Sequence, residues 1–260
     1  MRSRPVLLAI AASIAACKRP DPAPAELDAL CAYLYDHADD EDDAAAKEGV
    51  ENLMIWLDDG YGQMSDGYEV ESLYQSTLDE IGDDRDASAI AGAAIASSAD
   101  DLDVPPVVDS LILADQLDVY ADTYDSYDRT FDGDADCFAA GDCDWLEMDN
   151  DSVATLPIIG AIEVKMHAQE RWIETSRGPV LLHRGWLAEP SNNALMDLPA
   201  EYHLSVTYPD ADGGVLRAQA LWADAKLIGI QVPEGSLLKT LVKNLVNADA
   251  ALYEYTRDHE

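Results

Sequence analysis

The chain has 260 residues, and because 52 acidic residues outnumber 16 lysines and arginines, its formal net charge is −36. Nucleic-acid binding and docking on anionic lipid both require clustered lysine and arginine, so this balance argues against both classes of protein. It permits a basic partner or cations. It also suits a solvated surface in a saline medium, where screening relieves the repulsion between carboxylates, and we favour that interpretation.

The first seventeen residues have the layout of a secretory signal peptide. Arg2 and Arg4 are followed by an uncharged apolar run at residues 6–16, and small residues lead up to Cys17. The run is shorter than the ~20 residues that a transmembrane helix needs, so a permanent transmembrane anchor is not expected.

The tetrapeptide Ile14-Ala15-Ala16-Cys17 resembles the lipobox of bacterial lipoproteins. The resemblance implies that the signal peptide at 1–16 is removed and that Cys17 carries acyl chains such as palmitate, several of which hold a protein durably on a membrane. Residues 17–25, rich in proline, would form a tether. Lys18 stands where the inner-membrane retention signal of enteric bacteria has aspartate, which by the same resemblance implies a lipid anchor in the outer membrane of the cell envelope.

Charge divides the mature chain into two segments. Residues 17–151 contain 38 acidic and 5 basic residues, whereas residues 152–260 contain 14 acidic and 9 basic residues. The hydrophobic period also changes near Asp151, from about 3.6 to 2. We therefore expect an α+β fold, with an acidic and mainly helical region at 26–151 and an antiparallel sheet plus a C-terminal helix at 152–260.

Helical spacing recurs through the first segment. Leu27, Leu30, Cys31 and Leu34 predict one helix, and a second is predicted by Val50, Leu53, Met54 and Leu57. A third is predicted from Val70 to Ile81, whereas residues 86–98 are ambiguous. Pro105-Pro106 opens a further helix that reaches Leu117.

The second segment alternates with the period of strands. Ile162, Val164 and Met166 point to one side of a strand that forms a hairpin with residues 180–187, and residues 202–208 form a second hairpin with residues 215–223. Residues 226–232 are a possible fifth strand. Ser236 is the predicted N-cap of a long amphipathic helix that reaches Arg257.

Paired strands followed by this helix resemble the helix-grip arrangement of START-like lipid-transfer domains, over residues 155–255 at most. The resemblance implies a cavity between the sheet and the helix, and an apolar small molecule as a possible ligand.

Cys137 and Cys143 lie six residues apart around Gly141, so we pair them in a small disulfide loop, since an exported protein meets an oxidising environment. Cys31 shares a face with leucines and is predicted to be a buried free thiol. Pairing of Cys31 with either other cysteine remains open at this stage.

The same loop offers carboxylates for a metal, and calcium prefers several oxygen ligands. The candidate residues are Asp132, Asp134, Asp136, Asp142 and Asp144. An EF-hand register started at Asp128 fails, because Ala139 stands where the bidentate glutamate is required. We therefore predict no metal site, with a solvated acidic loop as the preferred interpretation and calcium as the alternative.

No nucleophile elbow, phosphate loop or dinucleotide fingerprint occurs in the sequence, so it supports no catalytic residues. His167, His183 and His203 are expected on strands, where they face solvent separately unless the strands bring them together. The leading hypothesis is a non-catalytic, lipid-anchored envelope protein with a binding or structural role and an unidentified protein partner. The alternatives are a carrier of an apolar ligand and an exported hydrolase with an unrecognised site.

Overall fold

A computed structural model describes residues 22–64, 67–156, 160–229 and 236–259. The described helices are α1 (Leu27–Asp36), α2 (Ala44–Gly60), α3 (Gln75–Glu80), α4 (Val104–Leu111), α5 (Leu117–Tyr120), α6 (Ala135–Ala139) and α7 (Ser236–His259). The strands are β1 (Tyr68–Val70), β2 (Ala91–Ala99), β3 (Ser126–Asp132), β4 (Trp145–Leu156), β5 (Gly160–Thr175), β6 (Gly178–Leu187), β7 (Ser191–Asn192), β8 (Met196–Pro209) and β9 (Val215–Leu227).

Across the described ranges these nine strands form one antiparallel sheet, in the order β1-β2-β9-β8-β6-β5-β4-β3, with β7 paired to β8. Both predicted hairpins are present, as β5–β6 and β8–β9. The α+β class is confirmed, with helices in the N-terminal part and a long C-terminal helix packed against the sheet.

The two faces of the sheet carry different helices. On the helical face, α1 and α2 pack against the sheet in the largest apolar core, where the rings of Tyr35 and Trp222 are 5.6 Å apart. On the opposite face, which we call the cavity face, α7 crosses β2 and β9, and its Val242 packs with Ile95 and Leu221. The strands between these helices are therefore buried on both sides.

Strand β2 shows the effect of this double burial on sequence. Ala94 belongs to the core on the helical face, whereas Ala93 and Ile95 pack beneath α7, so the strand does not alternate between apolar and polar residues. Gly92 is required for packing, because a Cβ atom there would lie 2.3 Å from Cδ1 of Trp222. Residues 86–98, ambiguous in sequence, thus mostly form a strand near one end of the sheet.

The sheet does not start at the change of period near Asp151. Strands β2 and β3 precede that residue, which itself lies inside β4. The helix predicted from Val70 to Ile81 is also wrong in part, since Val70 ends β1 and only α3 is helical there. The acidic first segment therefore supplies strands as well as helices to one sheet.

The acidic connection between α1 and α2 is docked on the helical face. Arg184 of β6 is fully buried, forms an ion pair with Asp39 and lies 4.9 Å above the ring of Tyr35. Arg171 of β5 donates to the backbone oxygen of Asp40 at 2.5 Å. Two arginines from residues 152–260 thus bind the acidic connection between α1 and α2, which belongs to residues 17–151.

Candidate functional site

A cavity of about 260 Å³ lies between the cavity face and α7. Its floor is formed by strands β3 to β6, β8 and β9, and Leu245 and Ala248 of α7 contribute to its wall. Val164, Met166 and Ala168 alternate along β5 and supply an apolar patch of the floor. The cavity exists where the helix-grip resemblance implied one, and it has both apolar and polar walls.

Gly185 keeps space open in the middle of the floor. A Cβ atom at this position would lie 3.1 Å from Nε2 of His183, so the histidine ring leans along β6 over the glycine. Gly185 is paired with His203 of the neighbouring strand β8, whereas His183 itself is paired with Ser205. The missing side chain therefore lets the ring of His183 lean towards the position of His203.

Two histidine–carboxylate pairs line this floor. Nδ1 of His183 donates to Glu170 across β5 and β6, with the two atoms 2.7 Å apart. Nε2 of His203 donates to Glu201 on the same strand, at 2.5 Å. Each carboxylate occupies one ring nitrogen, so Nε2 of His183 and Nδ1 of His203 are left for other partners.

Two polar atoms around the cavity are buried and have no hydrogen-bond partner among the described residues. They are Oε2 of Glu170, in a residue only 5% exposed, and Nε of Arg217. A buried donor or acceptor without a partner costs about 1–3 kcal/mol, and more when it is charged. These groups would gain from a ligand that carries its own polar atoms.

Behind the cavity, Asp249 of α7 is enclosed by donors from the sheet. It accepts hydrogen bonds from Arg217 (2.5 Å), Gln219 (2.7 Å) and Ser97 (2.5 Å). Burial lowers the pKa of Arg217, and the adjacent Asp249 carboxylate more than offsets this, so the pKa lies above its ordinary value. This cluster joins α7 to β2 and β9 next to the cavity, which Arg217 and Gln219 also line.

The far wall carries phenols and a second arginine. Arg129 of β3 donates to Asn150 (2.6 Å), to the backbone oxygen of Leu111 (2.6 Å) and to the hydroxyl of Tyr127 (3.1 Å), so it is committed to holding this wall. Burial raises the pKa of Tyr120 to about 12, and it raises that of Tyr124 as well. Both phenols therefore stay protonated at neutral pH and can donate hydrogen bonds.

The structure brings together two of the three strand histidines. His183 and His203 line the cavity, whereas His167 lies on the helical face beside Asp149 and Trp186. His183 and His203 were expected to face solvent separately, but the apolar residues of β5 and β8 face opposite sides of the sheet. Polar residues of β8 consequently face a second, partly apolar compartment rather than bulk solvent.

The other predicted site residues lie elsewhere. Cys137 and Cys143 form a disulfide with a Cα–Cα distance of 5.4 Å, and Cys31 is free and buried. The segment is not only a solvated loop, because Phe138 is buried and its backbone oxygen accepts from Nε1 of Trp172.

The calcium candidates Asp132, Asp134, Asp136, Asp142 and Asp144 are all exposed. Within the described part of the chain, no group of three or more His, Cys, Asp or Glu side chains could hold a metal ion.

The predicted signal peptide, its lipobox and Cys17 lie outside the described residues, as do residues 18–21 of the tether and 230–235 before α7. In the part that is described, no helix is both long and apolar enough to span a membrane.

No protein-family model and no curated protein sequence matches the chain. Among solved structures it is similar to Ara h 8.0201, with 10% identity and a TM-score of 0.41, over 65% of this chain and 99% of the other. It is also similar to protein CV1439 from Chromobacterium violaceum, with 10% identity and a TM-score of 0.29, over 64% of this chain and 94% of the other. Neither similarity assigns the chain to a family.

Proposed function

We propose that this protein binds a small amphipathic molecule in the cavity between the sheet and α7. The observation that carries the proposal is the composition of the cavity wall, in which the apolar patch of β5 lies beside two histidine–carboxylate pairs. An apolar molecule alone would leave the buried Oε2 of Glu170 unpaired. We therefore expect a ligand with an apolar body and at least one hydrogen-bond donor.

The size of the cavity sets the size of the ligand. At about 260 Å³ it lies just below the range of roughly 300–1,000 Å³ that holds drug-sized ligands. This volume favours a compact molecule of no more than about three rings over a lipid with long acyl chains. The carrier hypothesis is thus retained with a smaller and more polar ligand than the START-like resemblance implies.

We also propose that the protein works at the cell envelope, anchored by lipid on Cys17. The support is the sequence of residues 1–17, in which a signal-peptide layout ends in the lipobox-like Ile14-Ala15-Ala16-Cys17. A binding domain on a proline-rich tether could then sample solutes close to the membrane surface.

Binding can be tested with N-phenylnaphthylamine, a fluorescent molecule that has an apolar body and one N–H donor. We expect saturable fluorescence enhancement with one site per protein. Ala248→Phe places a ring in the cavity from α7 and should weaken binding at least about tenfold, which corresponds to about 1.4 kcal/mol. Ala250→Phe, on the exposed side of the same helix, is the matched control. Equal affinity of the two variants would contradict a site in this cavity.

A further inference from the structure

We propose that the cavity is also an active site, in which His183 acts as the general base in a cofactor-independent isomerisation of a small carbonyl compound. The inference rests on the proposed ligand cavity and assigns a reaction to it. The geometry points to this chemistry through the placement of the two histidine–carboxylate pairs.

A hydrogen bond to Glu170 fixes the orientation of the His183 ring. Glu170 is only 5% exposed, and its carboxylate accepts a hydrogen bond from Nδ1 of His183. This contact fixes the ring of His183 and leaves Nε2 as the acceptor. The same arrangement, a buried carboxylate behind a histidine, positions the base of serine proteases and stabilises its imidazolium. Glu170 is accordingly a positioning residue, and His183 is the group that would contact the substrate.

A nucleophilic mechanism is less well supported. Ser205 is opposite His183 across β6 and β8, so Glu170, His183 and Ser205 lie side by side on three neighbouring strands, as the acid, base and nucleophile of a triad would. Its hydroxyl, however, accepts from Arg217 at 3.3 Å, and Nε2 of His183 lies over Gly185 instead. Ser205 is therefore not placed as a nucleophile that His183 activates, whereas a base that acts directly on substrate needs none.

His203 is the diagonal neighbour of His183 across β6 and β8, and such neighbours lie roughly 7–8 Å apart or slightly closer between their Cβ atoms. The free atoms Nε2 of His183 and Nδ1 of His203 thus belong to rings on the same floor with a gap that suits a small group. A neutral imidazole can accept a proton and an imidazolium can donate one, so the two rings can act as base and acid.

The proton balance closes without any added reagent. Nε2 of His183 takes a proton from the carbon beside the carbonyl, the C–H electron pair forms a C=C bond, and the carbonyl pair moves to oxygen. Protonated His203 gives its Nδ1 proton to that oxygen, which yields an enol. In a β,γ-unsaturated carbonyl compound this enol is conjugated with the second C=C bond, so protonated His183 returns its proton to the γ carbon while neutral His203 takes back the hydroxyl proton. The product is the α,β-unsaturated isomer, and both histidines regain their starting protonation states.

The base can be tested without the natural substrate by using nitrobenzisoxazole, a compact planar probe. A base removes its ring C–H proton, the N–O bond breaks, and a coloured cyanonitrophenolate is released. We expect the full chain to accelerate this reaction and His183→Gln to slow it by about a hundredfold, the lower end of what a positioned general base supplies. His167→Gln is the matched control, because His167 has the same kind of carboxylate partner on the helical face.

Glu170→Gln separates positioning from folding. It should lower the rate and move the pH–rate profile towards lower pH, because the amide no longer stabilises the imidazolium, whereas a merely structural role would leave the profile in place. Binding of N-phenylnaphthylamine and the thermal midpoint are measured for every variant. If N-phenylnaphthylamine binds but nitrobenzisoxazole is not converted faster, or if His183→Gln and His167→Gln have equal rates, the catalytic proposal is wrong and the proposed ligand site stands. Absence of N-phenylnaphthylamine binding would instead refute the proposed ligand site.

Discussion

Removal of the Asp249 carboxylate should destabilise the protein more than any surface substitution. Asp249 is 1% exposed and accepts three hydrogen bonds from the sheet, so Asp249→Ala leaves the guanidinium of Arg217 buried without its counter-charge. Breaking a buried pair by removing one partner costs about 3–5 kcal/mol. For a chain of this size each kcal/mol lowers the melting temperature by roughly 2–4 °C, so we expect a decrease of about 6–20 °C.

The assay is thermal unfolding, followed by far-UV circular dichroism. Asp101→Ala is the control, because Asp101 accepts from Arg257 of the same helix at 2.6 Å but in an exposed pair. Solvent screens that pair, so its loss should change the midpoint little. The sign is also testable, since adding Arg217→Met to Asp249→Ala removes the unpaired charge and should restore part of the stability. Similar midpoints for the two single variants would refute the idea that this cluster holds α7 on the sheet.

Three further predictions concern the cysteines and the charge. Cys17→Ser should abolish partitioning into the detergent phase, and unchanged partitioning would rule out the lipid anchor. Burial, with a smaller contribution from Asp28, raises the pKa of Cys31 to about 12. Near pH 9 the Cys31 thiol of the folded protein should therefore resist Ellman's reagent, and rapid labelling of native protein would contradict this. The same thiol ionises near pH 9 in the unfolded chain, so the free energy of unfolding should fall as the pH rises from 9 towards 12. Reducing salt from about 0.5 M to about 0.01 M should lower amide-exchange protection in α1 and α2 before β5 and β6, because the Debye length then grows to roughly 30 Å and more pairs of carboxylates repel each other. Uniform protection at both salt levels would show that the acidic surface does not destabilise the helices.

The parts of the fold that the sequence predicted are those in which apolar residues recur at a regular spacing. Strands β5 and β8 have alternating residues over long stretches, and α1 has leucines at helical spacing, so their types were clear. Strand β2 was missed because helices cover both of its faces and its residues are nearly all small. Strand β3 alternates between half-buried and exposed residues, but its outward residues include Asp128 and Asp132, and its acidity concealed the pattern.

The cavity could be placed from sequence only in part. The long helix after the last strand indicated where a cavity would form, but the register that pairs Glu170 with His183 depends on hairpin geometry that the sequence does not state. The pairing of His203 with Gly185 likewise joins strands separated by β7. A usable signal was the glycine two residues after a strand histidine, since a missing side chain inside a strand often marks an open space.

The pairing of β2 with β9 determines when the chain can fold. Ala91 is opposite Ala223 and Ala99 is opposite Val215, so the contacts that complete the sheet join residues about half the chain apart. Loop-closure entropy must be overcome before such contacts stabilise the structure, and a high mean sequence separation slows folding. The first segment therefore reaches its native environment only after β9 and α7 have become available. Until then the apolar surfaces of α1, α2 and β2 lack their partners in the sheet, so we expect refolding to be slow and limited by the pairing of β2 with β9.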